Sequence, residues 1–443
     1  MVRQIQACIR RSDIYIERAT SNIQRPIQKM RLHGAIKSLC VIGAVLAFNQ
    51  QLFGQVVETI PGPILETRPE NGTPIAATAQ TNSIFYPPRG LILSTSVVGG
   101  YDDNVNSSSI GKSASLYTSE NASLSYTAGT PRTQVSLTTG GGIMYYFDRT
   151  GYNPSGYLGL SFTHKPIERM TLSLSVFAAY QTQPDLSTNL GSNQQLGAYI
   201  HSTDTISLDY SWMPRFSTVT SYTFGLLKYE SSAGSALNRM DHTFSEQFRY
   251  LLWPATTGVA EYRYGIIDYE SAPLSSTTHF LLAGLDHSFA PRLNASFRGG
   301  VELRSSENTG FQPGPYFEST LTYILRRGSV IWTNNYSIEE SDSPGAPARP
   351  SFRTGLTLNY GFTRRLSGSL ALFYIHGGNQ NGGGSSLNGS STEDTLDIGP
   401  SLHYFINRRL SADVGYHYTK VESGSVFSSY SKDNFFAGLN FNF

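Results

Sequence analysis

The chain has 443 residues, enough for two or three soluble domains or for one large barrel. Only 15% of the residues are charged, well under the usual quarter of a soluble protein, while Tyr (27) and Phe (24) are plentiful. Residues 55–443 carry 25 basic against 30 acidic groups, and that net −5 argues against nucleic acid as a partner. Beyond residue 54 no apolar run approaches the roughly 20 residues of a transmembrane helix.

Residues 1–29 carry no fold pattern, and residues 30–54 have the anatomy of a secretory signal. Met30 is followed by basic Arg31 and Lys37, an apolar core from Leu39 to Phe48, and polar Gln residues before Leu52-Phe53-Gly54-Gln55. Residues 1–54 are therefore expected to be a removed leader, cleaved near Gly54, with translation starting at Met30 or at Met1 with a long basic region. Both cysteines, Cys8 and Cys40, fall inside it, so residues 55–443 have no thiol for a disulfide or a metal. Residues 55–89 are rich in Pro, Thr and Ala without periodicity, which suits an extended periplasmic lead-in.

From residue 90 to 443 the pattern is a succession of alternating segments ten to fourteen residues long. Leu172, Leu174, Val176, Ala178 and Tyr180 fall on one side of a strand, with Ser173 and Ser175 on the other. Phe352 to Tyr360 and Leu410 to Tyr418 repeat the pattern. Short connections carry Pro or Arg: Pro131-Arg132, Lys165-Pro166, Met213-Pro214-Arg215, Trp253-Pro254, Pro291-Arg292, Arg326-Arg327-Gly328, Arg364-Arg365 and Asn407-Arg408-Arg409. Between them lie longer polar loops at 102–115, 148–155, 182–203, 231–240, 271–276, 305–313, 341–350, 377–394 and 422–431. Short turns on one rim and long loops on the other predict an all-β fold, a transmembrane antiparallel up-and-down β-barrel of about 18 strands. Its short turns would be periplasmic and its long loops extracellular. Trp212, Trp253 and Trp332 near short turns, and Tyr180, Tyr336, Tyr374 and Tyr418 near long loops, suit two interfacial girdles. Outward Glu246 and interior Pro400 break the pattern, and each is read as a register error or a bulge.

The last strand is the clearest. Phe435, Leu439, Phe441 and Phe443 share one face, opposite Asn434, Asn440 and Asn442. These four are the expected assembly signal, presented to the barrel-assembly machinery, with outer-membrane lipid as the solvent of the apolar face.

A search for chemistry finds little. The nine histidines form no H-E-x-x-H, and there is no C-x-x-C or G-x-S-x-G. Gly111-Lys112-Ser113 ends like a phosphate loop, but Asn106 stands where the first glycine belongs. Tyr101-Asp102-Asp103-Asn104-Val105 offers oxygens to a cation without the later ligands of a calcium loop, so a turn is the better reading. No cofactor, metal or enzymatic activity is expected. What remains is the inward face. Alternation points Arg249, Glu261, Arg263, Arg298, Glu302, Arg304, Glu318, Glu339, Arg353, Asp397 and Asp413 into the lumen, where a charge avoids the cost of facing lipid. The mixed signs predict weak ion preference, or mutual pairing that plugs the lumen. Loop 182–203 is the third long loop, and Asp185, Asn189, Asn193, Gln194 and Gln195 make it a candidate constriction.

The layout from Leu91 to Phe443, with its first strand ending Gly99-Gly100-Tyr101-Asp102-Asp103-Asn104-Val105, resembles the putative beta-barrel porin type 2 family. The resemblance implies a Gram-negative outer-membrane protein, with some members associated with exopolysaccharide production and no catalytic residues to carry over. The expected function is a porin-like channel for passive diffusion of small hydrophilic solutes. Two alternatives stay open: a role in exopolysaccharide export, for which inward Tyr157, Phe373 and Phe436 could serve as platforms, and a non-conducting structural barrel or lipid-acting enzyme.

Overall fold

The computed structural model describes residues 90–149, 151–183, 197–307, 309–340, 348–378, 392–423 and 429–443. The leader, the lead-in and Asp185, Asn189, Asn193, Gln194 and Gln195 lie outside the described residues. Eighteen strands follow one another: β1 (Gly90–Asp102), β2 (Ser115–Gly129), β3 (Thr133–Tyr146), β4 (Asn153–Ile167), β5 (Met170–Gln181) and β6 (Tyr199–Met213). They continue with β7 (Phe216–Tyr229), β8 (Arg239–Trp253), β9 (Thr256–Tyr269), β10 (Ser276–Ala290), β11 (Leu293–Ser306) and β12 (Gly310–Leu325). The last six are β13 (Gly328–Glu339), β14 (Arg349–Gly361), β15 (Leu366–Gly377), β16 (Glu393–Phe405), β17 (Leu410–Ser423) and β18 (Tyr430–Asn442). Each pairs antiparallel with its sequence neighbours, and β1 pairs with β18 from Ser94↔Asn442 to Asp102↔Asn434. The sheet therefore closes on itself and leaves no edge.

The period of two decides the faces. Val97, Leu281, Val414, Phe435 and Leu439 are all more than 40% exposed, while Arg263, Glu302 and Asp397 on the alternate parity are at most 3% exposed. A soluble sheet would reverse that distribution, because burying unpaired charge is costly and exposing apolar area to water is unfavourable. With apolar side chains outside and charges inside, the surrounding medium has to be lipid. Apolar clusters do exist inside, at the long-loop rim. There the β1–β2 connection drops Val105 against Tyr117 and Tyr146, with Met144 and Phe436 packed beside them. The β7–β8 connection forms a 3-10 turn, Ser235–Leu237, that seats Leu237 among Tyr199, Leu227 and Tyr229.

Three details differ from the sequence reading. The β4–β5 turn is at residues 168–169 rather than at Lys165-Pro166: β4 runs on to Ile167, with a register shift between His164 and Ile167 beside the proline. Similar shifts stand beside the β6–β7, β8–β9 and β10–β11 turns. The extra residue breaks alternation there, so adjacent Trp212 and Met213 are both exposed. Glu246 involves neither a register error nor a bulge, since pairing through Thr220↔Glu246 and Glu246↔Tyr262 is regular and the side chain does face outward. Pro400 also keeps register. It only interrupts the β16–β17 ladder between Ile398↔Tyr418 and Ser401↔Gly415, because it has no N–H to give.

Candidate functional site

The inner wall carries a linked network of ion pairs on β8 to β12, and further pairs stand nearer the long loops. Arg249 on β8 reaches over β9 and donates to Asp286 on β10 at 2.7 Å. Asp286 also accepts two bonds from Arg298 on β11, at 2.8 and 3.1 Å. Arg298 lies over Gly284, directly opposite it on β10, where a Cβ would meet the arginine Cδ at 2.7 Å. Glu261 lies 3.9 Å from Arg298 and bonds Arg263 on its own strand. Arg263 then crosses β10 and β11 to donate to Glu318 on β12 at 2.8 and 3.2 Å, and to the Tyr316 hydroxyl at 2.8 Å. Guanidinium groups suit this task because their planar fork satisfies two carboxylate oxygens at once.

Toward the long loops the pattern continues. Arg304 pairs with Glu340 just beyond β13, and Glu302 accepts the backbone N–H of Ile338 at 2.9 Å. Arg353 donates to Glu339 at 2.7 Å. Arg349 crosses β15 at Gly377, where a Cβ would meet its Nε at 2.6 Å, and donates to Glu393 on β16 at 3.0 Å. On β16 to β18 imidazoles replace guanidinium groups. Asp397 bonds His417 at 2.7 Å and Thr419 at 2.8 Å, and Asp413 bonds both His403 and Asn440. Just beyond β9, Glu270 accepts a bond at 2.9 Å from Lys228, near the end of β7, and that contact holds the carboxyl below the usual range.

The eleven charged candidates thus all stand on the inward face, and they meet partners on other strands rather than standing alone. Arg298, Glu302 and Arg304 share β11 but do not pair with one another: their partners are Asp286, Ile338 and Glu340. Asp286 and Tyr316 belong to the network from Arg249 to Glu318, and Glu340, Arg349 and Glu393 to the pairs nearer the long loops; all five were missed by the sequence reading. Glu340, Arg349 and Glu393 sit at the edges of predicted loops, and Tyr316 follows Pro313-Gly314-Pro315, which reads as a turn. Asp286 was legible, since it shares parity with Gly284 and Leu282.

On β1 to β7 the inward positions carry Ser, Thr, Asn and Gly, with few charges. Thr205 and Thr223 share a hydrogen bond at 3.0 Å, and Asn121 donates to Ser119 at 3.2 Å. Inward rings stand directly opposite glycines: Tyr157 opposite Gly140 here, Phe373 opposite Gly355 and Phe436 opposite Gly415 on the far side. A Cβ on those glycines would meet the ring at 2.7, 2.9 and 2.3 Å, so the rings lie flat against the wall.

The Tyr101–Val105 segment is more than a turn. Asp102 is fully buried, ion-paired with Lys432 at 2.8 Å, bonded by Tyr146 at 3.1 Å, and accepts the Asn104 backbone N–H at 3.0 Å. Asn104 donates to the carbonyls of Ser108 and Ser431. The motif therefore fastens the β1–β18 seam at its long-loop end.

The profile of the family described as "Putative beta-barrel porin 2" matches residues 92–443, all of this barrel but its first two residues. The chain belongs to that family. It is accordingly an outer-membrane protein, and its inverted faces are those of a membrane barrel. None of the curated proteins matches it. Among solved structures, Acinetobacter baumannii OccAB4 aligns at 11% identity and a TM-score of 0.39, covering 80% of this chain and 98% of that one. Pseudomonas aeruginosa OpdK aligns at 10% and 0.41, covering 80% and 99%, and OccK3 (OpdO) of the same organism at 13% and 0.41, covering 80% and 95%.

Proposed function

We propose that this barrel is a passive channel for small hydrophilic solutes. Sixteen to eighteen strands are enough to enclose water. The observation that carries the reading is the self-neutralised wall: cations and carboxylates from Arg249 to Glu318 satisfy one another, and the opposite wall offers hydroxyls and amides. Such a lining has no single-sign filter, so size and hydrogen bonding do the selecting. Loop 182–203 narrows the passage in this reading. Its described end supports that placement, because Gln183 donates to the inward Tyr146 hydroxyl at 3.0 Å and its carbonyl accepts from the Tyr199 hydroxyl at 3.1 Å.

Planar-bilayer recording of the purified protein tests the proposal. Steady ohmic current with little preference between cations and anions is expected. A protein that inserts and passes no current overturns it. Deleting residues 184–196 should raise the conductance, and an unchanged value removes that loop from the constriction. A second reading, polysaccharide export, draws on the flat rings of Tyr157, Phe373 and Phe436, which leave faces for sugars to stack on. Reversible block of the current by a neutral oligosaccharide would favour it.

A further inference from the structure

The outward face is not uniformly apolar. Glu246 faces outward seven residues before Trp253 on β8. At roughly 3.3 Å per residue and a tilt of roughly 40°, that is about 18 Å above the tryptophan, inside an apolar band about 25 Å tall. Acyl chains offer a carboxylate nothing. The wall supplies one bond, from the Thr220 hydroxyl to Oε2 at 2.6 Å, and no other described residue bonds Oε1.

Neighbouring outward positions carry polar groups with an unmet nitrogen. The Tyr222 hydroxyl bonds His242 Nδ1 at 2.9 Å, and the Tyr262 hydroxyl bonds His279 Nδ1 at 2.8 Å. In each ring Nδ1 is the bonded nitrogen, and among the described residues Nε2 has no partner. One patch on β7 to β10 therefore holds an unmatched carboxylate oxygen and unmatched imidazole nitrogens together. Phe244, Phe248 and Tyr250, each 49% exposed, supply apolar area around them.

We propose that this face packs against a second copy of the same barrel. A two-fold axis along the membrane normal keeps each residue at its own height. It would bring the Glu246 carboxylate of one copy toward the His279 imidazole of the other, two residues along β10 from the position in register with Glu246, with Nε2–H as the donor. The patch is then complementary to itself, as an isologous interface requires. Lipid tails would satisfy neither group. The inference is independent of conduction.

Cysteine cross-linking in native outer membranes tests it, in a background where Cys8→Ala and Cys40→Ala remove the chain's own thiols. Phe248→Cys should form an oxidised two-chain product, whereas Leu356→Cys, on the outward face of β14, should not. Adding Glu246→Leu should abolish the product and leave a single chain by light scattering in mild detergent. Because leucine suits a lipid-facing position, that variant keeps its fold, which the gel shift between heated and unheated samples verifies. Equal cross-linking at both cysteines, no cross-linking at Phe248→Cys, or a dimer indifferent to Glu246→Leu overturns the proposal. So does a single wild-type chain that retains bound lipid at this patch.

Discussion

Inward positions on β8 to β14 carry guanidinium and carboxylate groups in mutual contact, whereas those on β2 to β7 carry hydroxyls, amides and rings laid over glycines. Both surfaces are polar, but they depend on their neighbours to different degrees. An ion pair that has lost its water needs its partner, since a buried charge left alone is expensive. A hydroxyl in a lumen can turn to water when its neighbour is removed. The first half should therefore respond sharply to single substitutions and the second weakly.

The largest effect is expected at Arg263, which is 1% exposed and holds both Glu261 and Glu318. Arg263→Ala should cost about 3–5 kcal/mol by urea unfolding in lipid vesicles. It should also shift the reversal potential toward cations, because two carboxylates lose their counter-charge. On the other half, Gly140→Val places a side chain where the Tyr157 ring lies and should cost about 1–3 kcal/mol. The displaced ring should reduce the conductance, and an unchanged current would show that the ring does not border the passage. Thr205→Val removes only the bond to Thr223 and should cost about 0.5–1.5 kcal/mol with ion preference unaltered. A loss there as large as that of Arg263→Ala would erase the distinction between the two halves.

How much was legible follows the same division. Strand number, closure and faces could be read because period two is local: Leu172, Leu174, Val176, Ala178 and Tyr180 share the lipid face whichever strands lie beside them. Glu246 shows the limit of that rule, since its parity was right and treating it as an error was wrong. The β4–β5 turn shows another, because a proline beside a lysine looks like a turn but can occupy a bulge inside the strand.

The sequence by itself determined that this chain makes a closed barrel with apolar side chains outward, because alternation dictates a face before any partner is chosen. Only the tertiary structure decided which charge meets which. Arg263 finds Glu318 across two intervening strands, and Arg349 finds Glu393 through the opening left by Gly377. Those meetings depend on the stagger of the strands at closure, and stagger is a property of the whole sheet that no single segment records.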